Sequence, residues 1–276
     1  MREISGLAEI AGQYDAFLID QFGVLHDGRA LYPGALGALE GLHRLGKPVA
    51  ILTNSGKRNA ANRQRVVFLG VRPELFEAVL SSGEVAWAAI RAGEFGTVGS
   101  AFIVGKVGDD YAFDDLGLRV ADAPERAELI LILGSNAPAT SLDDYRTMLA
   151  AAVARRIPAL CCNPDRQMLT SSGLQPAPGA IAAVYEELGG TVTWIGKPFP
   201  RIYRHAFQLL GDPEPRRTLS IGDSIAHDVR GGRDAGLATA LVRTGLSAPL
   251  DDRGLRSAMM REGAVPDWVL PELRWD

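Results

Sequence analysis

Ala16-Phe17-Leu18-Ile19-Asp20-Gln21-Phe22-Gly23-Val24 is the stretch whose reading decides the fold. An apolar run of strand length ends in a carboxylate, and the turn after it carries an aromatic ring where a second acid would be useful. Open α/β sheets build their sites this way, because ligands bind outside the carboxyl ends of the strands. The site implied here keeps one carboxylate, at Asp20, and lacks another, at Phe22.

Outward from this run the same rhythm repeats. Short apolar runs at 17–20, 49–54, 101–105, 129–134, 158–163, 192–196, 219–223 and 238–243 read as strands. Amphipathic stretches at 35–45, 59–69, 84–92, 142–154, 180–188, 201–210 and 226–235 lie between them and read as helices. Alternation of this kind predicts βαβ units around a mostly parallel sheet, joined in the right-handed sense. Gly- and Pro-rich breakers at 92–100 and 171–179 bracket a middle section, as at places where a chain leaves and re-enters a domain. The expected organisation is a first core segment at 1–93, an inserted cap at 94–177 and a second core segment at 178–276.

Composition narrows the partners. The 276 residues are 47% hydrophobic and 22% charged, ordinary for a soluble globular chain. A net charge of −4 argues against a long nucleic-acid or anionic-membrane footprint, so a small molecule is the expected ligand. No apolar run approaches membrane-spanning length, and the cytoplasm is the expected location. The adjacent Cys161 and Cys162 sit in an apolar run and read as buried reduced thiols. Lysine occurs only at 47, 57, 106 and 197, so a lysine inside a motif carries information.

Four strand ends converge on one crevice in such a sheet: Asp20; Thr53-Asn54-Ser55-Gly56; Gly196-Lys197-Pro198; and Gly222-Asp223-Ser224, with Asp228 beyond. Their chemistry suits Mg²⁺ and a phosphoryl group. Carboxylates hold a hard cation through oxygen. Hydroxyls and backbone N–H groups at a helix start receive an anion. Lys197 offsets the charge of phosphate and nucleophile. A lone Asp after an apolar strand, as at Asp20, is more often a turn or helix cap, Asp223 also reads as a cap, and it is the set that favours a site. No Walker loop is completed after any Gly-Lys pair, and no dinucleotide Gly-x-Gly-x-x-Gly opens the first helix.

In order, spacing and strand-end placement these motifs resemble the haloacid dehalogenase superfamily. With Asn163-Pro164-Asp165, Pro178-Gly179-Ala180 and Gly236 they resemble its class IIA, the NagD- and pyridoxal-phosphatase-like group. The resemblance implies a modified Rossmann core with an α/β C2-type cap, Mg²⁺ as cofactor and a small phosphorylated metabolite as substrate. It makes Asp20 the nucleophile that becomes an aspartyl-phosphate and Lys197 its charge-stabilising partner. Thr53, Asn54 and Ser55 would touch the transferring group. Asp20, Asp223, Asp228 and the backbone carbonyl of Phe22 would face the metal, Asp228 directly, through water or by orienting Asp223. The cap's outer face is an expected homodimer surface.

Phe22 departs from the pattern. Most of these phosphatases carry a second Asp there, which protonates the leaving alkoxide and then deprotonates water. Phenylalanine does neither, so a slow or leaving-group-selective phosphohydrolase is expected, with His26 as a candidate replacement acid–base group. The alternative is a catalytically silent protein that binds a phosphometabolite; dehalogenase chemistry is a minor one. Leaving-group selection falls to the cap loop at 165–175, where Arg166 could grip a second anionic group.

Overall fold

The structure, a computed structural model, describes residues 1–170 and 173–276. In chain order come β1 (Arg2–Glu3), β2 (Ala16–Asp20), α1 (Ala35–Arg44), β3 (Val49–Thr53), α2 (Asn59–Phe68), β4 (Ala78–Ser81) and α3 (Ser82–Arg91). There follow β5 (Ser100–Val104), β6 (Arg119–Val120), β7 (Leu129–Ile132), α4 (Leu142–Ala154), β8 (Ala159–Cys161), β9 (Gln167–Thr170) and β10 (Gly173–Pro176). The chain closes with α5 (Pro178–Glu187), β11 (Val192–Trp194), α6 (Pro200–Leu209), β12 (Thr218–Gly222), α7 (Arg230–Asp234), β13 (Ala238–Val242), α8 (Asp252–Glu262) and β14 (Trp268–Leu270). It divides into two compact units, Met1–Thr53 with Ala60–Leu80 and Lys197–Asp276, and Asn54–Asn59 with Ser81–Gly196.

The first unit is built on a sheet of order β1-β14-β13-β12-β2-β3-β4. Its central strands run parallel, with Ile19 in register with both Ile221 and Ile51. Ala16 to Ile19 are buried, as are all of β3 and β12. Such continuous apolar runs are what a parallel sheet requires when both faces are covered. On one face Phe17, Ile19, Ile51 and Ile221 pack into a core with Ala35, Ala38, Leu39 and Leu42. Those four α1 residues recur at i, i+3, i+4 and i+7, one stripe of the helix. The strand order reverses between β2 and β12, so the chain leaves the two in opposite directions and opens a crevice at their carboxyl ends.

The second unit holds the parallel sheet β11-β8-β7-β5-β6 and the antiparallel hairpin of β9 with β10. Its core gathers Ile130, Ile132, Leu149, Ile181 and Tyr185. Packing draws the unit wider than 94–177: α3 lies in it, β11 pairs with β8, and α5 rests on α4 and β8. Helix is also replaced over 226–235, where a π-helical turn at Ile225–Val229 runs into the short α7. Cys161 and Cys162 are buried free thiols, and burial pushes Cys161 up to about 12. Among the described residues no helix is long and apolar enough to cross a membrane.

Candidate active site

Four of the predicted groups come together in the first unit, two of them at strand ends of its sheet; the strand before Lys197 belongs to the other sheet, and Asp228 lies in the π-helical turn. Asp20 is the last residue of β2, and Asp223 follows β12, its neighbour in the sheet. After Asp223 the chain turns tightly: Ser224 Oγ accepts from His227 N–H at 3.3 Å, and the turn brings Asp228 back so that its Oδ2 accepts from Ser224 N–H at 3.1 Å. Carboxylate oxygens of Asp20, Asp223 and Asp228 lie within 4.8 Å of one another. Lys197 Nζ stands 2.7 Å from Asp20 Oδ1, and donates to Asp228 Oδ1 at 2.7 Å and to the Leu52 carbonyl at 3.2 Å.

The electrostatics of this cluster follow from its burial. Lys197 is 3% exposed; desolvation works against its charge, but Asp20 and Asp228 outweigh it and hold the ammonium well above its ordinary value. Asp223 is pushed well up, first by burial and then by the charges of Asp20 and Asp228. Three carboxylates against one ammonium leave excess negative charge in a space shielded from water, a costly arrangement without a further cation. An all-oxygen donor set of this kind fits a hard divalent ion. The backbone cradles Asp223 closely: a Cβ on Gly23 or Gly245 would stand 2.1 or 1.8 Å from its Oδ2. Both glycines have positive φ, +87° and +53°, so neither place suits another residue. Leu246 N–H donates to the same oxygen at 2.7 Å.

The turn after β2 answers the question posed by Phe22. Phe22 is 42% exposed, and its ring meets that of His26 edge to face, with centroids 5.8 Å apart and planes at 89°. His26 itself is 1% exposed, and burial, aided by the Arg65 charge, depresses its pKa to about 4. Its Nδ1 accepts from Gly28 N–H at 3.0 Å, which leaves the ring proton on Nε2, 3.2 Å from the Gln21 side-chain amide. The atom that faces it is Gln21 Nε2, and Gln21 Oε1 is left without a partner; exchanging the two ends of the amide gives the ring proton an acceptor. His26 is thus a neutral, internally bonded strut of the turn. As a candidate acid–base group it is disfavoured by that burial.

Thr53 is buried at the end of β3 in this unit. Asn54 and Ser55 belong by packing to the second unit, where Asn54 Nδ2 donates to Asp165 Oδ1 at 2.8 Å and Ser55 Oγ accepts from Lys57 N–H at 3.2 Å. Arg166 is exposed in the same unit just before β9; within its loop, Ser171 and Ser172 lie outside the described residues. Three supports escaped the sequence reading: the Leu52 carbonyl, the Gly245-Leu246 turn and His227, whose ring nitrogen lies 3.3 Å from the Lys197 carbonyl. Only Gly245, directly after a strand and Thr244, left a trace of itself as a turn signal.

Known proteins resemble this chain in sequence and fold. Residues 17–119 match the family model described as haloacid dehalogenase-like hydrolase, and residues 194–275 match one described as HAD-hydrolase-like. A dihydroxyacetone phosphatase of Corynebacterium glutamicum is 29% identical over 87% of this chain and 84% of its own. The ribonucleotide monophosphatase NagD of Escherichia coli is 28% identical over 93% and 95%. Among solved structures, a haloacid dehalogenase-like hydrolase from Brucella suis superposes with a TM-score of 0.84 at 26% identity, covering 98% of this chain and 99% of that one.

Proposed function

We propose, for a chain that belongs to the NagD-like class IIA of the haloacid dehalogenase superfamily, a Mg²⁺-dependent phosphatase acting on a small phosphorylated metabolite through a covalent aspartyl-phosphate on Asp20. The observation that carries this reading is the Asp20–Lys197–Asp228 chain of ion pairs beside Asp223 at the carboxyl ends of adjacent strands. Relatives named as phosphatases support the reaction class.

Asp20, Asp223, Asp228 and the Phe22 carbonyl are the groups we assign to hold Mg²⁺. The ion, when bound, supplies positive charge to the phosphoryl oxygens. The remaining work belongs to the protein. Asp20 Oδ1 already accepts from Gln21 N–H at 2.7 Å and faces Lys197, which fixes the carboxylate's orientation. An Asp20 oxygen attacks phosphorus, the bond to the leaving oxygen breaks, and the carboxylate loses its negative charge. The Lys197 proton directed at Asp20 then becomes available to the phosphoryl oxygens, so stabilisation grows as the reaction proceeds. Water then attacks the aspartyl-phosphate, the bond from phosphorus to Asp20 breaks, and orthophosphate leaves with the carboxylate restored, a step that Phe22 does not assist as a base. Thr53 and the Asn54-Ser55 amides are the proposed phosphate grip, and the second unit is the proposed C2-type cap, with its outer face as the dimer surface. Arg166 is proposed to meet the leaving group.

Phe22 withholds the proton that an alkoxide leaving group needs. Esters and anhydrides that depart without one, such as aryl and acyl phosphates, are the favoured substrates, and general acid–base help worth about 10²–10⁴-fold is forgone. The exposed Phe22 also keeps alive a second reading, a phosphometabolite binder without turnover. Phosphate release from p-nitrophenyl phosphate with Mg²⁺ separates the two. Turnover that disappears in Asp20→Asn supports the enzyme; release equal in both proteins refutes the nucleophile.

A further inference from the structure

Asn54 is 5% exposed inside the second unit, and both ends of its side-chain amide are held. Its Nδ2 donates to Asp165 Oδ1 at 2.8 Å, across 111 residues of sequence, and its Oδ1 accepts from Ser82 Oγ at 3.3 Å. Asp165 is fixed in turn: its N–H donates to Asn163 Oδ1 at 3.0 Å, and its carbonyl accepts from Gly179 N–H at 2.9 Å in the first turn of α5. Gly196 closes the remaining side. A Cβ there would stand 2.4 Å from Ser82 Oγ and 2.7 Å from both Asn54 Oδ1 and Pro164 Cδ. The amide has no room to turn, and a charged acceptor makes the bond to it stronger than a neutral one would.

We propose that Asp165 is a positioning residue for phosphate binding. Its carboxylate locks the Asn54 side chain, and through it the Asn54-Ser55 backbone that receives the phosphoryl oxygens. The inference rests on the phosphatase reading above. It gives the Asn163-Pro164-Asp165 turn a task distinct from touching substrate, and it ties the phosphate grip to the loop that begins at Arg166. A consequence separates the two neighbours. The phosphoryl group is common to every substrate, so loss of Asp165 weakens all of them alike, whereas loss of Arg166 depends on the leaving group.

The test titrates orthophosphate into the full chain with Mg²⁺ by calorimetry and measures steady-state kinetics on phenyl phosphate and glycerol phosphate. Asp165→Ala is expected to weaken orthophosphate about tenfold and raise KM for both esters by the same factor, with kcat within about threefold of wild type. Asp165→Asn still presents an acceptor oxygen and returns all three to within about twofold of wild type. Because Asp165 acts through Asn54, adding Asp165→Ala to Asn54→Ala costs nothing more. Asp165→Ser, too short to reach Asn54, makes the same comparison if the alanine variant does not fold. Unchanged phosphate binding in Asp165→Ala, an Asp165→Asn protein as weak as alanine, or an additive double variant would each overturn the inference alone. A wild-type protein that binds no orthophosphate overturns the phosphatase reading and this inference with it.

Discussion

Lys197 Nζ meets the Leu52 carbonyl and the carboxylates of Asp20 and Asp228. Removing it strands those charges, so Lys197→Met is expected to abolish turnover and to cost on the order of 3–5 kcal/mol in urea unfolding without Mg²⁺. A loss under about 1 kcal/mol would mean the acids are not held by this ammonium. His26 makes a second residue-level prediction. Its folded pKa of about 4 lies below the ordinary 6.5, so the unfolded chain binds the proton more readily. Its contribution is therefore complete above pH 6.5 and is lost as pH falls from there to about 4, a change on the order of 3 kcal/mol. Thermal unfolding followed across this window should show a fall in stability that His26→Gln flattens; parallel curves would contradict the buried neutral ring.

At the scale of elements, α1 holds the sheet through a single stripe, and Leu39 is fully buried at its centre. Leu39→Ala is expected to destabilise the protein by about 2–5 kcal/mol, read as a shift in the urea midpoint with the slope unchanged. This stripe was plain in the sequence because 3.6-residue periodicity and a strand of unbroken apolar residues are local properties. So were the strand-end acids, since a carboxylate closing an apolar run needs no partner to be noticed. β4, β14, α8 and the β9–β10 hairpin were not set apart, because short strands and a polar helix carry little pattern of their own. The Ile225–Val229 π-helical turn was hidden for another reason: its residues repeat like an α-helix, and the hydrogen bonds that widen it involve Ser224. What His26 does was invisible altogether, as a His-Asp-Gly turn looks solvated until Phe22 and Gln21 are seen to cover it.

For the whole molecule, a cation that neutralises three buried acids binds the folded chain and not the unfolded one. Mg²⁺ at about 100 times its dissociation constant is expected to add about 2.7 kcal/mol of stability, visible as a rise of several degrees in Tm. Asp223→Asn should lose most of that rise, and an equal rise in both proteins would place the ion elsewhere. The account's central claim is that the Asp20 site works as a nucleophilic phosphatase without an acid at position 22. It is tested most directly by Mg²⁺-dependent phosphate release from matched aryl, acyl and alkyl phosphates, in wild type, Asp20→Asn and Phe22→Asp. The account predicts wild-type turnover of aryl and acyl phosphates well above alkyl, none in Asp20→Asn, and a selective gain on alkyl phosphates in Phe22→Asp. Equal relative rates on the three classes in wild type and Phe22→Asp, or turnover that survives Asp20→Asn, would contradict it.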